Sequence, residues 1–131
     1  METILSRTLN KKVWLKSGGY LVIEPTEALT VVDVNTGKNI AKKEMQENFL
    51  KVNIEAAEEI ARQLRLRNIS GIVIVDFINL EAKSAESELL NVFGAALKKD
   101  PVPTQIVEMT KLGLVEVTRK KIKKSLRESL S

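Results

Sequence analysis

Apolar and polar positions alternate with a period of two in several short runs and keep a helical spacing in longer ones, which predicts strands interleaved with helices. The clearest alternation is Leu29-Thr30-Val31-Val32-Asp33-Val34-Asn35-Thr36-Gly37-Lys38. A strand there, beginning at Glu27 or Ala28, sends Asp33 and Asn35 to one side and Val32 and Val34 to the other. Residues 20–24 form a strand closed by Pro25, and the short connection makes the two an antiparallel pair. Ahead of them lie a short strand over 3–9, an apolar knot at Val13-Trp14-Leu15 and a turn at Lys16-Ser17-Gly18-Gly19.

Beyond the polar loop at 36–45, Asn53 is placed to cap a helix that runs to Arg67. Ala56, Ala57, Ile60, Ala61 and Leu64 form its buried face. Its acids come early (Glu55, Glu58, Glu59) and its cations late (Arg62, Arg65, Arg67), which suits the helix dipole without any ligand. Ile72-Val73-Ile74-Val75-Asp76-Phe77-Ile78-Asn79 is apolar on both faces and reads as a central strand covered on each side. A second helix spans 81–99, with Ala85, Leu89, Phe93 and Leu97 as its ridge. Strands follow at 104–109 and 114–117 around a turn at Lys111-Leu112-Gly113. Thr118 then caps a last helix carrying Ile122, Leu126 and Leu130.

With 131 residues, 44% of them hydrophobic, the chain suffices for one well-packed domain. It contains neither cysteine nor histidine. That excludes disulfides, a thiolate nucleophile, the usual general base and soft metal sites. Any metal must be a hard one held by oxygen, such as Mg²⁺. No signal segment or run near the roughly 20 residues of a membrane span is evident, so a soluble, cytoplasmic protein is expected. The net charge of +4 is uneven: residues 111–131 hold seven cations against two acids. The basic character therefore belongs to the C-terminal segment.

Asp33 and Asp76 both end apolar strands. If those strands are neighbours, about 4.8 Å apart, the two carboxylates converge. Such a pair repels itself unless a cation sits between, and one or two carboxylates with waters and a substrate phosphate are how Mg²⁺ is usually held. Asn35 is placed to anchor one carboxylate, a water or the phosphate; Glu27 is too far along to join them. The plainer alternative is that both acids simply end strands, where turn-forming residues are common. The lysines at 38, 42, 43 and 51 are likewise either a solvated surface or a phosphate-contacting flap.

Ser17-Gly18-Gly19, Thr26 to Thr30, Asp33-Val34-Asn35, the block from Asn53 to Arg67 and Gly71 to Ile78 together resemble the ribonuclease E/G family, and Leu112 to Lys120 continue the match. The resemblance covers about residues 13–119. It implies an α/β (α+β) fold with a mixed β-sheet and packed helices, the deoxyribonuclease-I-like subdomain of the catalytic core. It further implies that Asp33 and Asp76 bind a catalytic Mg²⁺ with Asn35 assisting. The substrate implied is single-stranded RNA, hydrolysed to 5′-phosphate and 3′-hydroxyl ends. Lys38, Lys111 and Arg119 are candidate RNA contacts.

Several features depart from the family pattern. The helix after Asp76 has only Lys83 among acids where the family tends to carry several bases. Lys111 stands where an arginine can occur, which keeps the charge but weakens a bidentate grip. The paired cysteines of the family's zinc link, which belong to a homo-oligomeric full-length protein, are absent. The expectation is therefore an excised domain, with residues 1–118 as the catalytic subdomain and 119–131 as a basic helix leading towards the missing zinc link. Alone it should be weak or inactive. The alternative function is a non-catalytic RNA-binding or oligomerisation module using that basic segment.

Overall fold

The computed structural model describes residues 10–37 and 45–121. In chain order these form β1 (Lys12–Trp14), β2 (Tyr20–Pro25), β3 (Thr30–Asn35), α1 (Met45–Leu66), β4 (Gly71–Asp76), α2 (Lys83–Lys98), β5 (Thr104–Met109) and β6 (Leu114–Arg119). The strands join into one sheet in the order β1-β2-β3-β4-β6-β5. Only β3 and β4 run parallel, and α1 is the crossover between them; the other pairs are antiparallel. The fold is α+β, with a mixed sheet and packed helices as the sequence implied.

The alternation within each strand decides which face is covered. Leu21, Ile23, Val32, Val34, Val73, Val75, Val115 and Val117 point to one side. There they form a single core with Ala56, Ala57, Ile60, Ala61 and Leu64 of α1 and Leu89, Phe93 and Leu97 of α2. Phe93 meets Phe77 edge to face with ring centroids 5.4 Å apart. Both helices therefore lie on the same face. The register pairs Val22, Asp33 and Asp76 in one row of the opposite face, and Val31, Ile74 and Glu116 in another.

That arrangement corrects the reading of β4 as covered on both sides. Val73 and Val75 are buried, but Ile74 is half-buried and Ile72 is 39% exposed. The apolar run has one face that no helix of the described residues covers.

Helix α1 also begins earlier than expected, at Met45 rather than beside Asn53. Asn53 is not a cap but a fully buried residue inside the helix. Its Nδ2 donates to the Ile78 carbonyl at 2.8 Å, and the Ile78 N–H donates to its Oδ1 at 2.9 Å. A polar residue lies in the core because the backbone N–H and carbonyl of one residue, Ile78, satisfy both ends of its amide. At the other end of α1, Asn68 adopts a left-handed conformation (φ 53°). The Ile69 N–H reaches the Leu64 carbonyl and the Asn68 N–H the Arg65 carbonyl, the paired bonds of a Schellman stop.

Three smaller expectations change. Strand β3 starts at Thr30, because Thr26 and Leu29 close a turn through backbone and hydroxyl hydrogen bonds. The Val13-Trp14-Leu15 knot is not buried as a unit, since Trp14 is 63% exposed. Thr118 and Arg119 belong to β6 and pair with β4, so the chain does not turn helical at Thr118. The strand expected over 3–9, Lys38 with Lys42 and Lys43, and the stripe Ile122/Leu126/Leu130 lie outside the described residues.

Candidate active site

The parallel pairing of β3 with β4 sets Asp33 directly opposite Asp76. Partners in such a register share a face of the sheet and adjacent strands are about 4.8 Å apart, so the two carboxylates are neighbours. Both are exposed on the face away from the helices, Asp76 as the last residue of β4 and Asp33 two residues before the end of β3. Asn35 lies two residues beyond Asp33 and so on the same face, half-buried and paired across to Tyr20 of β2. The sequence had placed Asp33 beside Asn35 by parity. The topology adds Asp76.

The backbone around this corner is tightly built. A Cβ on Gly19 would stand 2.7 Å from the Asn35 carbonyl oxygen, and one on Gly37 (φ 70°) 2.7 Å from the Gly18 oxygen. Only residues without side chains let the 17–19 turn lie against the segment that leaves β3. On the other side, the Asn53 amide grips Ile78 two residues after Asp76, and fixes where β4 ends. The segment 77–80, Glu86 and Leu89 of α2, and Leu112 with Gly113 line a cavity of about 190 Å³ that opens beside Asp76. Lys111 is exposed on the same turn as Leu112 and Gly113.

The electrostatics follow from the pairing. Partial desolvation raises the Asp76 carboxyl above the usual carboxylate range, and the charge of Asp33 raises it further. A like-charged pair on adjacent strands costs the fold energy unless a cation relieves it. Among the described residues, no three acids, cysteines or histidines gather to hold a metal. The oxygen donors here are two carboxylates with an amide close by. That set fits a hard divalent ion whose remaining positions are filled by water and phosphate.

Arg119 does not join this site. It follows Val115 and Val117 on the covered face, at the opposite end of β4, where it pairs with Gly71. It is 4% exposed, and its Nε donates to Asp100 Oδ2 at 2.8 Å. Its Nη1 reaches the Ile69 carbonyl at 2.9 Å and Asn68 Oδ1 at 3.1 Å. A guanidinium so engaged is a structural tie, not a phosphate contact. The period of two through Val115, Val117 and Arg119 was the available signal. The run of cations that begins at Arg119 masks it.

The class these features define is an α+β domain that presents an acidic pair and an amide at the ends of strands on its open sheet face. The model of the Ribonuclease E/G family matches residues 1–122. Over 121 residues the chain is 49% identical to ribonuclease E of Nostoc sp., and over 128 residues 48% identical to ribonuclease E of Synechocystis sp.. It is 45% identical over 130 residues to ribonuclease G of Escherichia coli K12. These alignments cover 92%, 98% and 99% of this chain but 18%, 19% and 27% of those relatives, so the chain spans about a fifth to a quarter of their length. This chain belongs to the ribonuclease E/G family. No helix of the described residues is long and apolar enough to cross a membrane.

Proposed function

We propose that this chain is the metal-holding catalytic segment of an endoribonuclease that hydrolyses single-stranded RNA with Mg²⁺, leaving 5′-phosphate and 3′-hydroxyl ends. The observation that carries the reading is the in-register pairing of Asp33 with Asp76 on the uncovered sheet face. Family membership supports RNA as the substrate, since the relatives are named ribonucleases.

In this mechanism Asp33 and Asp76 would hold the ion, whose charge would offset their repulsion and keep both ionised. Asn35 holds a neighbouring carboxylate or water in place through its amide. Lys111 offsets phosphate charge at the rim of the cavity beside Asp76. Mg²⁺, when bound, would polarise a phosphoryl oxygen and lower the pKa of water in a chain without histidine. In the net reaction the oxygen of water bonds to phosphorus, the bond from phosphorus to the 3′ oxygen breaks, and that oxygen takes up a proton.

The test is ribonuclease G of Escherichia coli carrying this chain in place of its matching segment. Asp33→Asn and Asp76→Asn should each slow Mg²⁺-dependent cleavage of single-stranded RNA by at least about 100-fold, the upper range for losing even an outer partner of a metal site. Their melting temperatures should not fall. Unchanged cleavage rates would remove the mechanism.

A further inference from the structure

Two strands away from the acidic pair, the open face carries a second group of side chains. Trp14 of β1 is 63% exposed, the greatest exposure of any described aromatic residue among the large hydrophobics. Its ring centroid is 5.2 Å from that of Tyr20, with planes inclined at 55°. Lys12 Nζ stands 4.3 Å from both ring centroids. An exposed aromatic residue or a cation over a ring is by itself ordinary surface. What sets this group apart is its place in the register.

Trp14 pairs with Tyr20, and Tyr20 with Asn35, so these three form one row across the sheet. Lys12, Val22, Asp33 and Asp76 form the neighbouring row. At about 4.8 Å per strand, Trp14 is roughly 10 Å from Asn35 and Lys12 roughly 10 Å from Asp33. A single RNA strand covers such a distance within a few nucleotides. Lys12 holds the two rings together from one side and supplies a positive charge there, while the exposure of Trp14 leaves ring surface free.

We propose that Trp14, Tyr20 and Lys12 form a stacking site for an unpaired base of the RNA strand whose phosphodiester lies at Asp33 and Asp76. Flat ring surface beside a cation suits a nucleobase joined to a phosphate, and stacking accepts any base because each has a π face. This proposal takes the identity of the strand from the function proposed above. The site itself is measured without cleavage, so each can fail alone.

The chain contains a single tryptophan, so its fluorescence reports on this site alone. Without divalent cations, a short single-stranded oligoribonucleotide should quench Trp14 emission. An RNA duplex of the same length, or an abasic strand of the same charge, should not. Trp14→Ala should weaken binding of a labelled oligoribonucleotide roughly 5- to 150-fold, the range for one lost base stack, and Trp14→Phe should restore most of it. Lys12→Ala should lower the salt slope by about one.

Binding without quenching, equal quenching by the abasic strand, or unaltered affinity in Trp14→Ala overturns the proposal. So does a Trp14→Ala variant of the segment-exchanged ribonuclease G that binds RNA normally but melts at lower temperature, because the patch then packs against another part of that protein. If quenching holds while Asp33→Asn and Asp76→Asn cleave at full rate, the stacking site stands and the catalytic reading falls.

Discussion

Strand β4 has a charged pair at each end, and the two pairs are opposites. At its C-terminal end Asp76 faces Asp33: like charges on the open face, with no described side chain of opposite sign between them. At its N-terminal end Gly71 pairs with Arg119, whose partner Asp100 is 1% exposed on the covered face. There the charges are opposite and saturated. Asp100 Oδ1 also accepts the Val102 N–H at 2.9 Å, and Oδ2 accepts the Thr104 hydroxyl at 3.2 Å. Burial works against the Asp100 charge, yet the Arg119 hydrogen bond, the Val102 N–H, the Arg119 charge and the Thr104 hydroxyl outweigh it and hold the carboxyl below its ordinary range. One pair ties together the end of α1, the loop after α2 and β6. The other is a like-charged pair that no described side chain relieves, and it costs the fold energy.

The largest effect should come from breaking the saturated pair. Arg119→Ala strands a buried carboxylate and should cost about 3–5 kcal/mol in urea denaturation. Arg119→Lys should recover only part of this, because an ammonium cannot reach Asp100, Asn68 and Ile69 as a fork does. A loss below about 1 kcal/mol would show that this pair is no more structural than a surface bridge.

Next in size is Asn53→Ala, which leaves the part-buried N–H and carbonyl of Ile78 without the Asn53 amide and should cost about 1–3 kcal/mol. Because Ile78 follows Asp76 by two residues, the same change should weaken Mg²⁺ binding measured by calorimetry. Asn53→Ala at full stability would separate the helix from the acidic end of β4.

The two acids should also respond to pH with opposite signs. Asp100 titrates below its unfolded value of 3.8, so its contribution is complete above that pH and is lost as the pH falls through the lowered folded value. Asp76 titrates above 3.8, so its penalty is complete above the raised folded value and gone below the unfolded one. Stability measured from neutral pH downward should therefore gain from Asp76 before it loses from Asp100. Asp76→Asn should remove the first phase and leave the second.

The smallest effect is the stability of Asp76→Asn at neutral pH. Relieving one like-charged cross-strand pair should raise it by roughly 0.2–1 kcal/mol, less at high salt because the pair is exposed. Mg²⁺ should narrow the gap by stabilising the parent chain and not the variant. A destabilised Asp76→Asn would mean that the carboxylate supports the fold, and the contrast between the ends of β4 would fail.

The sequence alone determined most of the local structure. Period-two alternation marked β3, a continuous apolar run marked β4, the i+4 ridge of α2 marked Leu89, Phe93 and Leu97, and parity put Asp33 beside Asn35. Those signals are local, because each depends only on the geometry of one element. What the tertiary structure decided was which elements lie side by side. The crossover through α1 makes β3 and β4 parallel neighbours and brings Asp76 to Asp33. The placement of both described helices on one face leaves the other without helix cover among the described residues, so an apolar run that reads as a doubly covered strand has an exposed side. The roles of Asn53 and Arg119 are not legible in the sequence for the same reason. A polar residue in a core is identified by the partner that satisfies it, and here those partners, Ile78 and Asp100, are brought within reach only by the packing of the whole domain.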